Sequence, residues 1–244
     1  MDNEKLTNQL VDWLRVNTLD AKAEGLILGI SGGVDSAVAA VLAKRAFPDN
    51  CLGIFMPCET LATEMQHAQL LADQFTIETL TFDLIDLYRT AIGQMRGHLP
   101  PSSSDLLAQG NIKSRLRMMT LYYFAQVKNY LVLGTSNRSE FSIGYTTKYG
   151  DSAVDLQVLG GLLKCEVYDL ARYLNVPPEI INKPPSAGLW EGQTDEIEIG
   201  FTYQALDHYL LTGQGEEDTI ARIEARMCST QHKRSFPPIP DFTA

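Results

Sequence analysis

Residues 31–36, with the sequence SGGVDS, combine the residue types that bind an anion through the backbone. Two adjacent glycines let the chain turn tightly and approach a ligand closely. Unpaired N–H groups at the start of a helix that follows, together with the two serine hydroxyls, can then hold a phosphate. The segment is neither a Walker loop, which ends in Gly-Lys-Ser/Thr, nor a Gly-x-Gly-x-x-Gly dinucleotide loop. It therefore indicates a phosphate site of a different kind.

Asp35 is the acidic residue of this segment, and a bare phosphate would repel its carboxylate. A cation between the two groups removes the conflict. Mg²⁺ is commonly held in proteins by one or two carboxylates together with phosphate oxygens. The segment therefore predicts that nucleotide phosphates and Mg²⁺ bind here together. The plain alternative is an ordinary turn between a strand and a helix, which gives neither the serines nor the aspartate a role.

The chain around this segment alternates short apolar runs with longer helical patterns, starting with a helix on Leu6, Leu10, Trp13 and Leu14. Such alternation predicts an α/β fold, with a parallel sheet that carries helices on both faces, in one domain over residues 1–244. The predicted strands are residues 25–30, 51–56, 77–82 and 130–134, and the further predicted helices are residues 36–47, 62–75, 105–128, 162–174, 202–211 and 216–228.

Ligands of parallel sheets bind at the carboxyl ends of the strands, which directs attention to residues 31–36 and 135–140. Residues 135–160 are rich in Gly, Ser and Thr, so we expect a mobile loop there. Lys164 begins the helix that follows. A lysine at that position opposes the helix dipole, which indicates that an anion lies nearby.

Several segments carry a resemblance to a known family. Residues 31–36 resemble the pyrophosphate loop of the N-type ATP pyrophosphatases. Further segments resemble those of the ammonia-dependent NAD⁺ synthetases within that superfamily, and they follow one order from residue 29 to residue 234. These segments are residues 109–117 (QGNIKSRLR), 134–140 (GTSNRSE), 144–151 (GYTTKYGD), 183–189 (KPPSAGL), 193–196 (QTDE) and 232–234 (HKR).

The resemblance implies an adenine nucleotide α-hydrolase-like fold and a ligase that amidates deamido-NAD⁺ with ATP and ammonia through an adenylated carboxylate. It implies Mg²⁺ as cofactor, held by Asp35 and Glu140, and a catalytic role for these two acids and Lys164. The implied ATP-binding residues are Gly29, Ile30, Ser31, Gly32, Gly33, Val34, Asp35, Ser36, Arg117, Thr135, Lys164 and Ser186. The implied deamido-NAD⁺-binding residues are Asn111, Arg115, Lys148, Asp151, Asp155, His232 and Lys233.

Assembly and loop closure are further expectations. Residues 116–127 have more apolar side chains than one core-facing stripe needs, and the resemblance implies a homodimer with the dinucleotide site between subunits. We expect this helix in the interface. We also expect the loops at residues 138–153 and 184–192 to close over ATP and exclude water.

Composition limits the function classes. The net charge of −10 argues against a nucleic-acid partner, and no window approaches the apolar length of a membrane span. The N-terminal residues lack the features of a signal peptide, and the four cysteines show no paired or zinc-binding spacing. These features favour a cytoplasmic enzyme with reduced cysteines.

The sequence leaves two other functions open. A tRNA-modifying ligase of the same superfamily would need a basic surface, which the net charge disfavours. A nucleotide-binding regulatory module would not need Asp35, Glu140 and Lys164 together. We also expect no glutaminase activity, because no cysteine has the setting of a nucleophile with a base partner. Cys165, beside Lys164, is the one cysteine that we expect in an electropositive setting.

Overall fold

The computed structural model describes residues 2–98, 100, 102–190 and 192–241. Within them lie five strands and eleven α-helices. The strands are β1 (Gly25–Gly29), β2 (Cys51–Phe55), β3 (Glu78–Thr81), β4 (Tyr130–Gly134) and β5 (Leu156–Gln157). The helices are α1 (Asn3–Asp20), α2 (Val34–Ala46), α3 (Ala62–Phe75), α4 (Ile85–Met95), α5 (Asp105–Lys128), α6 (Arg138–Ser142), α7 (Lys164–Tyr173), α8 (Pro178–Ile181), α9 (Asp195–Ile199), α10 (Tyr203–Thr212) and α11 (Glu217–Ser229), with a 3₁₀ turn at Gln231–Lys233.

The five strands form one parallel sheet in the order β3-β2-β1-β4-β5. The chain moves outward from β1 to β3 and then returns to place β4 on the other side of β1. The strand order therefore reverses between β1 and β4, and in open α/β sheets the ligand crevice lies at such a point. The predicted α/β fold with a parallel sheet is confirmed.

Side chains alternate between the two faces of β1, and each face packs against helices. Leu26 and Leu28 join a core that contains residues of α1, α2, α3 and α7. Ile27 joins a second core with residues of α4 and α5. Helices on both faces are therefore confirmed, because every β1 side chain between Leu26 and Leu28 is fully buried.

Helix α2 is buried over most of its length, which fixes the segment before it. Ten of its 13 residues are buried, among them five alanines that let the helix lie close to β1, α1 and α7. The prediction began this helix at residue 36, and the structure begins it at Val34. Residues 31–33 therefore form a short, anchored connection from β1 to α2.

Residues 135–160, predicted as an irregular mobile loop, contain α6 and β5, so the absence of regular structure was a wrong expectation. Asn137 caps α6: its Oδ1 accepts from the Glu140 N–H at 3.0 Å, while Glu140 Oε2 accepts from the Asn137 N–H at 3.3 Å. A helix of five residues and a strand of two are too short to produce a visible hydrophobic period.

Helices α9, α10 and α11 form a smaller apolar cluster around Ile143, Leu206 and Ile223. This cluster lies beside α6 and α7, because α10 contacts both helices. None of the helices in the described part of the chain is long and apolar enough to cross a lipid bilayer.

Candidate active site

A cavity of about 970 Å³ opens at the carboxyl ends of β1 and β4. Its walls come from the β1–α2 connection, the first half of α5, the start of α7, residues 183–190 and residues 192–198. Ligand cavities typically measure about 300–1,000 Å³, so this one suits a large ligand. Most predicted site residues line it: Gly29, Ile30, Ser31, Gly33, Val34, Asp35, Ser36, Asn111, Arg117, Thr135, Glu140, Asp151, Lys164, Ser186 and Lys233.

The β1–α2 connection has the geometry expected of a phosphate loop. Gly32 has a φ of +79°, and a Cβ atom there would lie 2.4 Å from the carbonyl oxygen of Glu64. Ser36 Oγ donates to the Gly33 carbonyl at 2.9 Å and lies 3.1 Å from Ser31 Oγ. The loop is therefore pre-shaped by its glycine and its serines, with the first N–H groups of α2 behind it.

Two carboxylates from two strand ends meet at one cation in this cavity. Lys164 Nζ lies 2.6 Å from Asp35 Oδ2 and 3.0 Å from Glu140 Oε1. Asn137 Nδ2 donates to Asp35 Oδ1 at 2.8 Å, and the Asn137 N–H reaches Glu140 Oε2. The Tyr203 hydroxyl lies 3.4 Å from Glu140 Oε1. All four carboxylate oxygens therefore have partners.

Burial and neighbouring charges act against each other in this group. It raises the pKa of Glu140 to about 7, although Lys164 acts in the opposite direction. Burial acts to lower the pKa of Lys164, but Asp35 and Glu140 outweigh it and raise that pKa above its ordinary value. The lysine is therefore held in its charged form by the two acids, and the site is built around a positive charge between two carboxylates.

Asp195 is a buried acid of the cavity that the sequence assignment of site residues missed. Its Oδ1 accepts from the Tyr145 hydroxyl at 3.0 Å and its Oδ2 from the Tyr203 hydroxyl at 3.1 Å. Burial raises the pKa of Asp195, and it also raises the pKa of both tyrosines, which keeps them as hydrogen-bond donors. The signal was present, because Asp195 belongs to the family-like segment at residues 193–196.

Two lysines hold the segment from residue 183 to residue 190 against the rest of the cavity. Lys183 pairs with Glu64 and donates to the Gly32 carbonyl at 3.0 Å. Lys113 donates to the Leu189 carbonyl at 2.8 Å and lies 2.7 Å from Glu59. The segment therefore already covers part of the cavity. Its closure on ATP stays a prediction, as does that of residues 138–153.

Helix α5 contributes one face to the cavity wall. Asn111 Oδ1 accepts from Thr147 Oγ1 at 2.7 Å, and Ser114 Oγ donates to Asp151 Oδ1 at 2.8 Å. These bonds join α5 to residues 147–151, so Asn111 and Asp151 shape the wall as well as facing the cavity. Arg117 is half-buried, and loss of solvation lowers the pKa of its guanidinium, whose Nε lies 3.4 Å from the Met56 carbonyl.

Four residues predicted to bind deamido-NAD⁺ do not line the cavity. Arg115 is exposed on α5 and its Nη2 donates to the Lys148 carbonyl at 3.2 Å, so these two residues are adjacent. Both carboxylate oxygens of Asp155 are engaged internally, with the Val132 N–H at 2.7 Å and the Tyr122 hydroxyl at 3.3 Å. His232, the fourth, is exposed.

The 3₁₀ turn at Gln231–Lys233 directs the side chains of two neighbouring residues to different surroundings. His232 points to solvent, whereas Lys233 lines the cavity and donates to the carbonyls of Gly144 at 2.9 Å and Thr146 at 2.7 Å. Burial lowers the pKa of Lys233. This residue therefore connects the end of the C-terminal helices to the family-like segment at residues 144–151.

The expected electropositive setting of Cys165 is wrong. Burial, together with the carboxylate of Asp207 beside it, raises the pKa of the thiol to about 11. Lys164 points away, toward Asp35 and Glu140. The surroundings of Cys165 therefore favour the neutral thiol over the thiolate.

The chain matches one protein family over nearly its whole length. The NAD synthase family model matches residues 6–237 of the chain. The NH₃-dependent NAD⁺ synthetase of Syntrophomonas wolfei is 52% identical over 240 residues, which cover 98% of this chain and 96% of that relative.

Two solved structures extend the comparison. An NMN synthetase from Francisella tularensis has a TM-score of 0.94 and 37% identity, covering 99% of this chain and all of that one. An NH₃-dependent NAD synthetase from Campylobacter jejuni has a TM-score of 0.81 and 31% identity, with the same coverage.

Proposed function

Because this chain belongs to the NAD synthase family, we propose that it is an ATP-dependent ligase that amidates deamido-NAD⁺ with ammonia to form NAD⁺. The observation that carries this function is the meeting of the phosphate loop, Lys164 and two carboxylates in one cavity at the β1–β4 crevice.

The reaction has two steps. A nicotinate carboxylate oxygen attacks the α-phosphorus of ATP, the α–β phosphoanhydride bond breaks, and pyrophosphate leaves. Ammonia then attacks the carbonyl carbon of the resulting adenylate, AMP leaves, and the proton released by the nitrogen passes to solvent or to a nearby acid. The chain contributes chiefly by positioning both substrates and neutralising phosphate charge.

Residues of the cavity divide between these tasks. The N–H groups at residues 31–36 and the start of α2 would hold the phosphates, with Lys164 and Arg117 as nearby positive charges. Thr135 and Ser186 supply hydroxyls at the cavity wall. The segment from residue 183 onward limits access of water to the adenylate.

Asp35 and Glu140 would hold Mg²⁺. Their carboxylates converge on one cation and are oxygen donors, the ligand type that Mg²⁺ requires. Among the described residues, no group of three or more His, Cys, Asp or Glu side chains could hold a metal alone. Phosphate oxygens of ATP would therefore complete the coordination. The metal supplies charge neutralisation at the phosphates when bound.

A metal-binding measurement follows from the position of Lys164. Since this lysine already neutralises both acids, Mn²⁺ used as a probe in place of Mg²⁺ should bind weakly to the wild-type protein without nucleotide. In Lys164→Met the two acids lack their cation, and we expect Mn²⁺ to bind at least about tenfold more tightly by electron paramagnetic resonance. Lys183→Met, which does not touch Asp35 or Glu140, is the control. Equal binding to all three proteins would contradict this assignment.

A second possible acceptor can be compared with deamido-NAD⁺ in an assay of amide formation. The likeness to an NMN synthetase structure favours nicotinate mononucleotide as an alternative to deamido-NAD⁺. Both carry the same nicotinate carboxylate, so the chemistry of the site would not change. Rates of amide formation with each acceptor, measured with ATP, Mg²⁺ and ammonium, decide between them. Amide formation with neither acceptor would refute the function.

The nitrogen source is tested in the same assay. We expect ammonium to support turnover and ammonia-free glutamine not to do so, because none of the four thiols has a nucleophile's surroundings. Cys51 and Cys58 are buried, and burial raises their pKa values along with that of Cys165. Glutamine-driven turnover that alkylation of a cysteine abolishes would overturn this expectation. The free state of all four cysteines also supports a cytoplasmic location.

The enzyme would act as a homodimer through the outer face of α5. Met119, Tyr123 and Val127, which we call the α5 stripe, are spaced four residues apart and are all exposed. Phe82 extends the apolar surface, because its ring contacts Phe124 beside the stripe at a centroid distance of 6.2 Å. Contiguous exposed apolar surface of this kind marks protein interfaces.

Two of the predicted deamido-NAD⁺-binding residues that do not line the cavity have positions that support a site between subunits. Arg115 lies one turn before Met119 on the same face of α5, and Lys148 is its neighbour. Residues that bind deamido-NAD⁺ from outside the cavity would then face the partner subunit.

A further inference from the structure

Helix α7 begins without a capping side chain of its own, because its N-cap residue is Leu163. The first N–H groups of a helix have no partner within the helix and need acceptors from elsewhere. In α7 the Lys164 N–H donates to Ser139 Oγ at 3.0 Å, and the Cys165 N–H donates to Asp207 Oδ2 at 2.9 Å. The start of α7 is therefore held by residues of α6 and α10.

Asp207 connects these two supports. The hydroxyl of Ser139 donates to Asp207 Oδ1, so the two oxygens of one carboxylate serve α6 and α7. Asp207 and Ser139 are buried, with 4% and 0% of their surfaces exposed. None of the ion pairs among the described residues includes Asp207. Its charge is therefore directed at the positive end of α7 and at two hydrogen bonds, which a charged acceptor strengthens.

The first turns of α6 and α7, which Asp207 joins, contain Glu140 and Lys164 of the ion-pair group in the cavity. Glu140 follows Ser139 in α6, and Lys164 precedes Cys165 in α7. The Lys164 ammonium contacts Glu140 at 3.0 Å and Asp35 at 2.6 Å. One hydrogen bond and one peptide unit thus separate Asp207 from each of the two residues.

We propose that Asp207 is a positioning residue of the active site, whose carboxylate fixes the starts of α6 and α7 so that Glu140 and Lys164 face Asp35 and the phosphates of ATP. The inference rests on the proposed roles of Glu140 and Lys164. It goes beyond them by assigning a residue that does not line the cavity.

The test is Asp207→Asn, which keeps the size of the side chain but replaces one acceptor oxygen with a donor. MgATP affinity, measured by calorimetry per folded molecule, should fall by about 10- to 100-fold, because small displacements of positioned groups have effects of this size. The KM for deamido-NAD⁺ should stay within about twofold of the wild-type value, since Arg115, Lys148 and Lys233 keep their places. If Asp207 had only a structural role, its replacement would lower the melting temperature but would not weaken MgATP binding selectively over deamido-NAD⁺ binding.

Glu224→Gln is the matched control. Glu224 also accepts a hydrogen bond within the C-terminal helices, from the Tyr209 hydroxyl at 2.8 Å, but it does not line the cavity. This variant should bind MgATP as the wild type does. If Asp207→Asn does not fold, Ser139→Ala takes its place. It removes the acceptor of the Lys164 N–H and should show the same division between substrates.

The background variant Lys164→Met separates this inference from the function on which it rests. If Asp207 acts through Glu140 and Lys164, adding Asp207→Asn to the double variant Glu140→Gln/Lys164→Met should change MgATP affinity by less than about twofold. Wild-type affinity in Lys164→Met would remove the role of Lys164 itself and with it the basis of the inference. An affected Lys164→Met together with a wild-type-like Asp207→Asn would overturn the positioning role alone.

Cys165 gives an independent local measurement. Because the Asp207 carboxylate helps to raise the pKa of this thiol, Asp207→Asn should lower that pKa and speed alkylation of Cys165 by iodoacetamide at pH 8. Cys228, which is also exposed, is the internal reference in the same mass-spectrometric experiment. Unchanged alkylation of Cys165, with unchanged MgATP affinity, would show that Asp207 does not govern the start of α7.

Discussion

Replacing Asp35 with asparagine, or Glu140 with glutamine, will lower turnover by at least about 10³-fold at saturating Mg²⁺ and leave the fold intact. Each variant removes one of two carboxylates that converge on a single cation, and an amide is a poor ligand for Mg²⁺. The packing is preserved because both replacements keep the size of the side chain. Steady-state rates together with circular dichroism measure the two parts of this expectation.

Asp169→Asn is a suitable control for these variants. Asp169 lies on α7, as Lys164 does, but is exposed and pairs with Arg172 alone. Its replacement should leave turnover unchanged. A wild-type-like rate in Asp35→Asn or in Glu140→Gln would show that the convergence of carboxylates at Lys164 is an ion-pair cluster without a metal role.

Tyr123→Glu will convert the proposed dimer into monomers and raise the KM for deamido-NAD⁺ by at least about tenfold. Tyr123 is the centre of the α5 stripe and is 65% exposed in the isolated chain. A carboxylate there would have to be buried without a partner when two stripes meet, which opposes association. Binding of deamido-NAD⁺ would be weakened more than binding of ATP, because Arg115 lies on the same face of α5. Sedimentation and acceptor titration measure both effects.

Leu211→Glu is the control for this change. Leu211 lies on α10 and is 63% exposed, so it matches Tyr123 in accessibility while lying outside the α5 stripe. It should change neither the sedimentation coefficient nor the KM. A fully active wild-type monomer near 27.1 kDa would contradict the homodimer outright.

Long periodic elements were predictable from the sequence, and short ones were not. The predicted bounds of α5 and β4 agree with the structure, because apolar runs and helical patterns there end at turn residues. Helices α6 and α9, with five residues each, offer no period to detect. Even so, the Asn137-x-x-Glu140 spacing is a capping-box signal that could have located α6.

Some site residues could also be identified from the local sequence, and others could not. The phosphate loop is one continuous segment, so the residue types and spacing of residues 31–36 are enough to predict its chemistry. Lys113 and Lys183 act on backbone carbonyls 76 and 151 residues away. Nothing in the local sequence distinguishes such lysines from surface residues. Asp207 belongs to the same class, because its role depends on two helices that only tertiary structure brings to it.

The distance along the chain between Asp35, Glu140 and Lys164 has a consequence for biosynthesis. Lys164 lies 129 residues after Asp35 and 24 after Glu140. A nascent polypeptide that has emerged only as far as Glu140 contains both acids but not their counter-charge, so repulsion between them opposes pairing of β1 with β4. Non-local pairings of this kind delay folding. The carboxyl ends of β1 and β4 can therefore assemble natively only after translation has passed residue 164. The last wall of the cavity forms later still, when Lys233 can bond to the Gly144 carbonyl.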